Sequence, residues 1–502
     1  MKQLTKRLIS FFICACFLAG FIACGDKGAP AETAAGTETA AAPEAAEAAE
    51  TTAVKPNLPD TDWEGREFHV LGHSDPTYPQ FDNFEIYAEG ETGEIVNDTI
   101  YRRNRTIEER YNVKIKATLD YNEAGIIRKT TMAGEQLYDL FFSPLMFIGG
   151  VITNGDLLDL NEIEYIDFSQ PWWNSRANGE LELWGRLYAT TSDYGLEDKK
   201  RSYTTIMNRD MAKDYDLPDV VALVDDGAWT VDRMTEMCAA VAADLDGDGV
   251  MTDADRWGLT MDSYNAFTNY LRGCDVAIIT KGEDGNPALT FNNPRTVAAI
   301  DKVIALTCDT DFAGFCEDFE GKVDYNMWSF AGKVFKAGEA LFIAVFPQSL
   351  SGFSADCEFE YGVIPNPKLD ESQPLYCSYP DFIGSTLFGV PKAAPRPDFS
   401  GFMLEALSAE SKYTTLPAYI EISCKNKYTY DEASGRMLDL IFSSMSYDLG
   451  IIFNLGGMSE IVRTTIPKKK ENVFASEYAK KEKKTLTAIE KLRETVEEIE
   501  SS

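Results

Sequence analysis

Three consecutive patterns between residues 66 and 115 restrict the fold of this chain more than any other feature. Residues 66–72 (REFHVLG) read as a strand, with the turn residues Ser74, Asp75 and Pro76 behind it. Val96, Ile100, Ile107 and Tyr111 then recur at helical spacing, and Val113, Lys114 and Ile115 alternate as a strand does. Strand, helix and strand in that order predict two parallel strands joined by a right-handed crossover, and so an α/β fold. Residues 138–142 (YDLFF) form an almost unbroken apolar run that stops at Ser143 and Pro144, as a strand buried on both faces would. Sheets of this kind bind ligands beyond the carboxyl ends of their strands, which puts Ser74, Asp75 and Ser143 near any cleft.

Further along, Thr230 is placed to cap a helix whose buried face carries Met234, Met237, Cys238 and Val241. Asn293 and Pro294 open another helix, with Val297, Ile300 and Ile304 inward. Leu486, Ile489, Leu492 and Val496 make one stripe on a last helix over 476–498, too short for a sustained coiled coil and expected to dock on a lobe. From about residue 57 to 479 more than 400 residues remain, in a chain with 12% aromatics, which is material for two cores.

The first residues read differently. Lys2, Lys6 and Arg7 precede an apolar run from Leu8 to Ala23, the layout of an export signal over residues 1–23. The run ends in a sequence resembling a bacterial lipobox, with Cys24 as the lipidated residue, although Phe21 stands where leucine is usual. Residues 24–56 are then nearly all Ala, Glu, Thr, Gly and Pro, the composition of a disordered tether. No later stretch is apolar and long enough to span a bilayer. The expected location is therefore outside the cytoplasm, lipid-anchored to the outer face of the cytoplasmic membrane. Losing the three basic residues of the leader takes the formal charge from −34 to −37, which argues against nucleic acid as a partner. Seven cysteines lie beyond the anchor, none in a C-x-x-C pair, and read as small buried hydrophobes.

The most specific motif spans residues 244–255 (DLDGDGVMTDAD). It follows the twelve-residue calcium loop, with Asp244, Asp246 and Asp248 offering side-chain oxygens and Gly247 at the sharp turn. Val250 would give its carbonyl, Thr252 a direct or water-mediated contact, and Asp255 stands in for the usual glutamate. A calcium ion held there would be structural, tying the helix before it to the strand after it.

Seven segments, in order along about 400 residues, resemble the extracellular solute-binding proteins of carbohydrate ABC importers (family 1 type, maltose-binding-protein-like fold). They are residues 107–113 (IEERYNV), 155–160 (GDLLDL), 185–189 (GRLYA), 203–210 (YTTIMNRD), 330–342 (FAGKVFKAGEALF), 361–365 (YGVIP) and 388–392 (FGVPK). The resemblance implies a type II periplasmic-binding-protein-like fold, with two α/β lobes joined by lobe-crossing strands. Residues 57–190 and 320–350 would form lobe 1, residues 191–319 and 351–470 lobe 2, and residues 471–502 a C-terminal amphipathic helix. It also implies capture of a small solute, a mono- or oligosaccharide, by hinge closure. Delivery would be to two permease subunits with an ATPase, by a monomer that is not an enzyme.

Sugar clefts pair aromatic platforms with carboxylates, amides and hydroxyls. The loops offering that mixture carry Trp172 and Trp173, Asp193 and Tyr194, Tyr264 and Asn265, and Tyr379 and Asp381. Gln348 follows Phe346 and Pro347, where the family has a stacking tryptophan, a departure that speaks against maltodextrin itself. With only two histidines, His69 and His73, and no G-x-S-x-G, H-E-x-x-H or Walker motif, the common hydrolase chemistries lack their residues. A carboxylate-dependent glycoside hydrolase and a surface polysaccharide-binding lipoprotein uncoupled from transport are the alternatives.

Overall fold

The computed structural model describes residues 53–424 and 432–501. The leader, Cys24 and most of the expected tether lie outside the described residues. Two sheets organise the chain. The first contains Thr386–Gly389, Leu140–Pro144, Arg66–His73 and Val113–Asp120 in that spatial order, and Arg66–His73 runs parallel to both Leu140–Pro144 and Val113–Asp120. Arg66 pairs with Val113 and His73 with Asp120, with the helix Ile95–Tyr111 between the two strands, so the strand, helix, strand pattern folds as read. Leu140–Pro144 is buried at every position, two residues later than its apolar run suggested.

The second sheet orders Tyr361–Ile364, Thr204–Asn208, Ala340–Val345, Trp257–Met261 and Ala313–Phe315. Its three central strands are buried throughout, because helices cover both faces and the sequences TTIMN, ALFIAV and WGLTM leave nothing polar that needs solvent on both sides. Thr230 caps the helix Val231–Val241 by accepting from Arg233 N, and Asn293 caps Pro294–Thr307 through Thr296 N. The described cysteines from Cys238 to Cys377 are all free and buried. Among the described residues no helix is long and apolar enough to cross a membrane.

The division of the chain between lobes differs from the expected one at residues 320–350 and again within 351–470, where Thr386–Gly389 joins the first sheet. Residues 320–350 do not return to the first lobe: Ala340–Val345 pairs with Thr204–Asn208 on one side and Trp257–Met261 on the other, in the second sheet. The return is made by Thr386–Gly389, antiparallel to Leu140–Pro144. An apolar six-residue strand fits the centre of either sheet, and only its neighbours decide which.

Among the described residues, three of the segments that pass between the lobes run side by side. Residues 190–204 leave the first lobe at Thr190, bridged to Phe388; residues 365–386 return; and residues 444–448 pass between Glu432–Ser443 and Leu449–Ile452. They are paired with one another: Tyr203 N donates to Tyr379 O at 2.8 Å, Asp381 N to Arg201 O at 2.9 Å, and Ser446 N to Ser378 O at 3.0 Å. The last helix, Phe474–Glu500, touches both lobes rather than one. Phe474 meets Phe291 edge to face at 5.0 Å beside the second sheet. At the other end Glu500 accepts from Tyr188 Oη at 3.0 Å and pairs with Arg186 at 2.8 Å on the first.

Leu259 is fully buried at the middle of the strand that leads to the candidate site. Leu259→Ala is expected to lower unfolding free energy by about 2–5 kcal/mol, through lost burial and the cavity left behind, read as a lower urea midpoint at unchanged slope.

Candidate functional site

The parallel strands of the second sheet end at Met261, Phe315 and Val345, and the antiparallel strand Thr204–Asn208 begins on the same edge. The residues just beyond these ends gather where the lobe-crossing segments pass. Arg201 lies at the centre. Its Nε and Nη2 donate to Asp381 Oδ2 at 3.1 and 2.6 Å, and both residues are buried. One face of the guanidinium is 4.2 Å from the ring of Phe81, which belongs to the loop after the first strand of lobe 1. The ring of Phe346, at the end of Ala340–Val345 in lobe 2, is 4.5 Å away. A cation sandwiched between rings from two lobes is held by their quadrupoles as well as by its carboxylate. A Cβ at position 384 would stand 2.0 Å from Arg201 Nε, so Gly384 is what lets the guanidinium reach Asp381.

Around this clamp lie buried rings and, next to them, part-exposed polar groups. Tyr203 packs on Phe346 with ring centroids 4.4 Å apart, and its hydroxyl bonds Ser263 Oγ at 3.2 Å and, more weakly, Asp262 Oδ1 at 3.4 Å. Tyr379 lies parallel to Tyr203, centroids 6.5 Å apart. Asp262, Ser263, Tyr264 and Asn265 are all part-exposed. Glu317, on the turn after Ala313–Phe315, accepts from Tyr264 N with both oxygens, at 2.9 and 3.1 Å, and so fixes the start of the helix Asn265–Gly273. Burial and the nearby carboxylates of Asp381 and Glu317 push Asp262 up to about 8. The result is a part-exposed turn carrying the Asp262 carboxylate, the Ser263 hydroxyl, the Tyr264 ring and the Asn265 amide, set beside the buried rings of Tyr203, Tyr379 and Phe346, a set of groups of the kind that holds polyhydroxylated molecules.

The residues expected at the site divide between this cluster and other places. Tyr264 and Asn265 are part-exposed on the turn after Trp257–Met261, Tyr379 and Asp381 are buried in the returning segment, and Gln348 sits part-buried in the turn just after Phe346. Asp75 lies on the loop that carries Phe81, where its carboxylate accepts from Thr77 N and Tyr78 N, while Ser74 N donates to Asp120 O. Ser143 is wholly buried and donates to Glu123 Oε1 at 2.9 Å. Trp172 and Trp173 are buried too, their indole N–H groups donating to the two oxygens of Glu405 at 3.2 and 3.0 Å. Burial pushes that carboxyl up to about 7. Asp193 lies 3.3 Å from Lys412 Nζ, and together with both tryptophans it lines a different cavity of about 480 Å³ against the helices Pro397–Tyr413, Thr415–Cys424 and Glu432–Ser443. Tyr194 is fully buried beneath the Arg103 guanidinium, 4.8 Å from its ring.

Sequence reasoning missed Arg201, Phe81, Asp262 and Glu317. Arg201 closes a run of charged residues, 197–201 (EDKKR), that reads as a solvated turn. Asp262 directly precedes Ser263, Tyr264 and Asn265, so only its place after the strand Trp257–Met261 could have pointed to it.

The acidic loop sits apart from this cluster, between Val231–Val241 and Trp257–Met261, its ends joined by a bridge from Ala243 to Arg256. Asp244, Asp246 and Asp255 each turn one oxygen to a common point, these atoms lying within 4.8 Å of one another. Gly247 takes the left-handed φ of +75° that the turn needs. The backbone N–H groups of Gly249 and Gly247 hold the Asp244 carboxyl below the ordinary range. Asp248 accepts from Val250 N at 2.7 Å, and Thr252 Oγ1 donates to Asp255 at 2.9 Å. Three convergent carboxylate oxygens are a donor set for a hard cation such as calcium.

No protein-family model and no curated protein matches the chain. Among solved structures it is similar to a cyclo/maltodextrin-binding protein complexed with maltotetraose, at 13% identity and a TM-score of 0.53 over 86% of this chain and 97% of that one. The cyclic α-maltosyl-1,6-maltose binding protein of Arthrobacter globiformis is 14% identical, with a TM-score of 0.52 over 87% and 99%. An ABC substrate-binding protein of Listeria monocytogenes, solved with cycloalternan, is 13% identical, with a TM-score of 0.50 over 86% and 99%. The likeness establishes the fold, the two-lobe α/β architecture of substrate-binding proteins, and the matched structures are binding proteins.

Asp262 gives the site a pH signature. Its folded pKa near 8 lies above the unfolded value near 4, so the folded state binds the extra proton between those limits and stability falls as pH rises from about 4 to 8. Asp262→Asn removes that loss. The variant is expected to be more stable than the parent by about 1–2 kcal/mol at pH 9, a figure reduced for partial solvent screening, and the advantage should vanish near pH 4. Denaturant titrations across that range read it directly.

Proposed function

We propose that this chain is the substrate-binding component of an ABC importer, capturing a mono- or oligosaccharide in the groove between its lobes and delivering it to a permease pair served by an ATPase. The observation that carries the reading is the Arg201 clamp, which puts rings from both lobes and the crossing segments on one buried cation, beside the part-exposed polar turn 262–265. A ligand that touches both walls binds the closed arrangement better than the open one and shifts the population toward it. The saccharide assignment is supported by the carbohydrates bound by structurally similar proteins and by the pairing of aromatic faces with polar groups.

A glycoside hydrolase needs one carboxyl free to donate a proton and a second free to attack or activate water. Of the three carboxylates here, Asp381 is engaged by Arg201 and Glu317 by the Tyr264 amide, which leaves Asp262 alone. That favours binding over turnover. The same reading makes the protein a monomer outside the cytoplasm, anchored through a lipid on Cys24, with the acidic loop holding a structural calcium ion.

Thermal-shift screening of the chain against saccharides, amino acids and peptides tests the central claim. A saccharide at 100 times its dissociation constant is expected to add ~2.7 kcal/mol of apparent stability and to compact the protein in solution scattering. Stabilisation by amino acids or peptides with none from any saccharide would sink the assignment. For the loop, calcium is expected to raise the melting temperature of the parent and not of Asp255→Ala, with chelator reversing the gain; equal responses of the two proteins would refute a site there.

A further inference from the structure

His73 ends the strand Arg66–His73 with one ring nitrogen engaged and the other unclaimed. Its Nδ1 lies 3.0 Å from Glu123 Oε2, and Ser143 Oγ donates to Glu123 Oε1 at 2.9 Å. With both carboxyl oxygens accepting, the network assigns the imidazole proton to Nδ1 and leaves Nε2 as an acceptor. No other group among the described residues bonds that nitrogen, and packing does not seal it from water, although the side chain is only 4% exposed. His69, on the same strand, shows the ordinary arrangement: it is held by Thr118 Oγ1 at 2.9 Å and by the backbone of Leu137. His73, Glu123 and Ser143 come from three separate segments and are all buried. A buried imidazole fixed by two supporting side chains, with its outer nitrogen left over, is a ring held ready for one further partner.

The position is where a sheet of this order takes ligands. The chain steps from Arg66–His73 to Val113–Asp120 on one side and then to Leu140–Pro144 on the other, so the rule for open α/β sheets puts the binding crevice outside the ends of Arg66–His73 and Leu140–Pro144. The His73 ring has two others beside it there, Tyr121 at 5.8 Å and Phe147 at 6.3 Å between centroids, each inclined to it by 46°. Tyr121, just past Val113–Asp120, is 57% exposed, and Phe147, in the first turn of Leu145–Thr153, is part-exposed. Open rings of this kind offer faces to the C–H side of a sugar. Two bonds tie this cluster to the neighbourhood of the Arg201 clamp. His73 N donates to Asn83 Oδ1 at 2.9 Å, on the loop that carries Phe81, and Met146 N, next to Phe147, donates at 3.1 Å to the carbonyl of Phe382, which follows Asp381.

We infer that His73 contacts the ligand from lobe 1: its Nε2 accepts from a hydroxyl of a sugar unit whose apolar face lies on Tyr121, and Glu123 and Ser143 are the positioning residues behind it. The inference rests on the saccharide reading above and narrows it to a unit that presents a hydroxyl here, since a ligand carboxylate would be brought toward the like charge of Glu123.

The chain has two histidines, which makes the test direct. Nitrogen NMR of the full chain with 15N-labelled histidine gives two imidazole patterns, and His69→Gln assigns them. His73 in the free protein is expected to be protonated on Nδ1. From a panel of glucose, galactose, xylose, cellobiose and maltotriose, a sugar that binds by calorimetry should shift Nε2 of His73 and leave His69 in place. His73→Asn keeps a donor for Glu123 and deletes Nε2, so it should weaken that sugar about tenfold, the range for one lost hydrogen bond to a buried group. Tyr121→Ala, at an exposed position, should weaken it about fivefold at an unchanged melting temperature. Ser143→Ala should alter the His73 nitrogen pattern and Ser143→Thr restore it, as a positioning role requires. A free His73 protonated on Nε2, or a sugar that binds with neither imidazole shifted, would overturn the inference and leave the saccharide reading standing. No binding by any sugar of the panel would overturn both.

Discussion

Two backbone hydrogen bonds, Tyr203 N to Tyr379 O and Asp381 N to Arg201 O, fasten the outgoing crossing segment to the returning one, and the candidate site is arranged around that knot. Because the segments are antiparallel there, the bonded positions 201, 203, 379 and 381 present their side chains as a set. Arg201 and Asp381 neutralise each other where neither meets water, and Tyr203 and Tyr379 lie face to face beside them. A buried ion pair of this kind adds little net stability, since desolvation takes back most of the Coulomb gain, but removing one partner strands the other. Its value is geometric: it fixes which surfaces of the crossing strands face the space between the lobes.

The fold was largely legible in the sequence, since a sheet buried on both faces writes itself as apolar runs and the helices between carry their own period and caps. The strands read at 66–72 and 113–115, which the structure extends to 73 and 120, and the caps Thr230 and Asn293 emerged from local pattern alone. Lobe membership did not, because Ala340–Val345 satisfies the requirements of either sheet and the pairing that decides it comes from residues more than eighty positions away.

The site was legible in part, and the divide follows distance along the chain. Tyr264 and Asn265 could be found because they follow a recognisable strand. Trp172 and Trp173 have the composition of a sugar platform, yet what determines their role is Glu405, over 230 residues downstream. Arg201 closes a charged run, and nothing nearby in sequence says that Asp381, 180 residues on, neutralises it. Partnership at long range is invisible to a local pattern, and here it turns an apparent surface charge into a buried scaffold side chain.

The helix Phe474–Glu500 has 27 residues, so it is a rod of about 40 Å whose two ends rest on different lobes. A rod that long flexes little, so a change in the angle between the lobes must be taken up as slip where it is seated. The seat on lobe 1 is more than the Arg186 to Glu500 pair, which is about one-third exposed on each side and contributes at most about 1 kcal/mol: Leu492 and Val496 are buried near that end, and Ile499 lies against Gly155. At the other end the rings of Phe474 and Phe291 interlock away from water. With apolar seats at both feet, the helix acts as a strut that resists, through the surface it would expose, any change of angle that unseats either end.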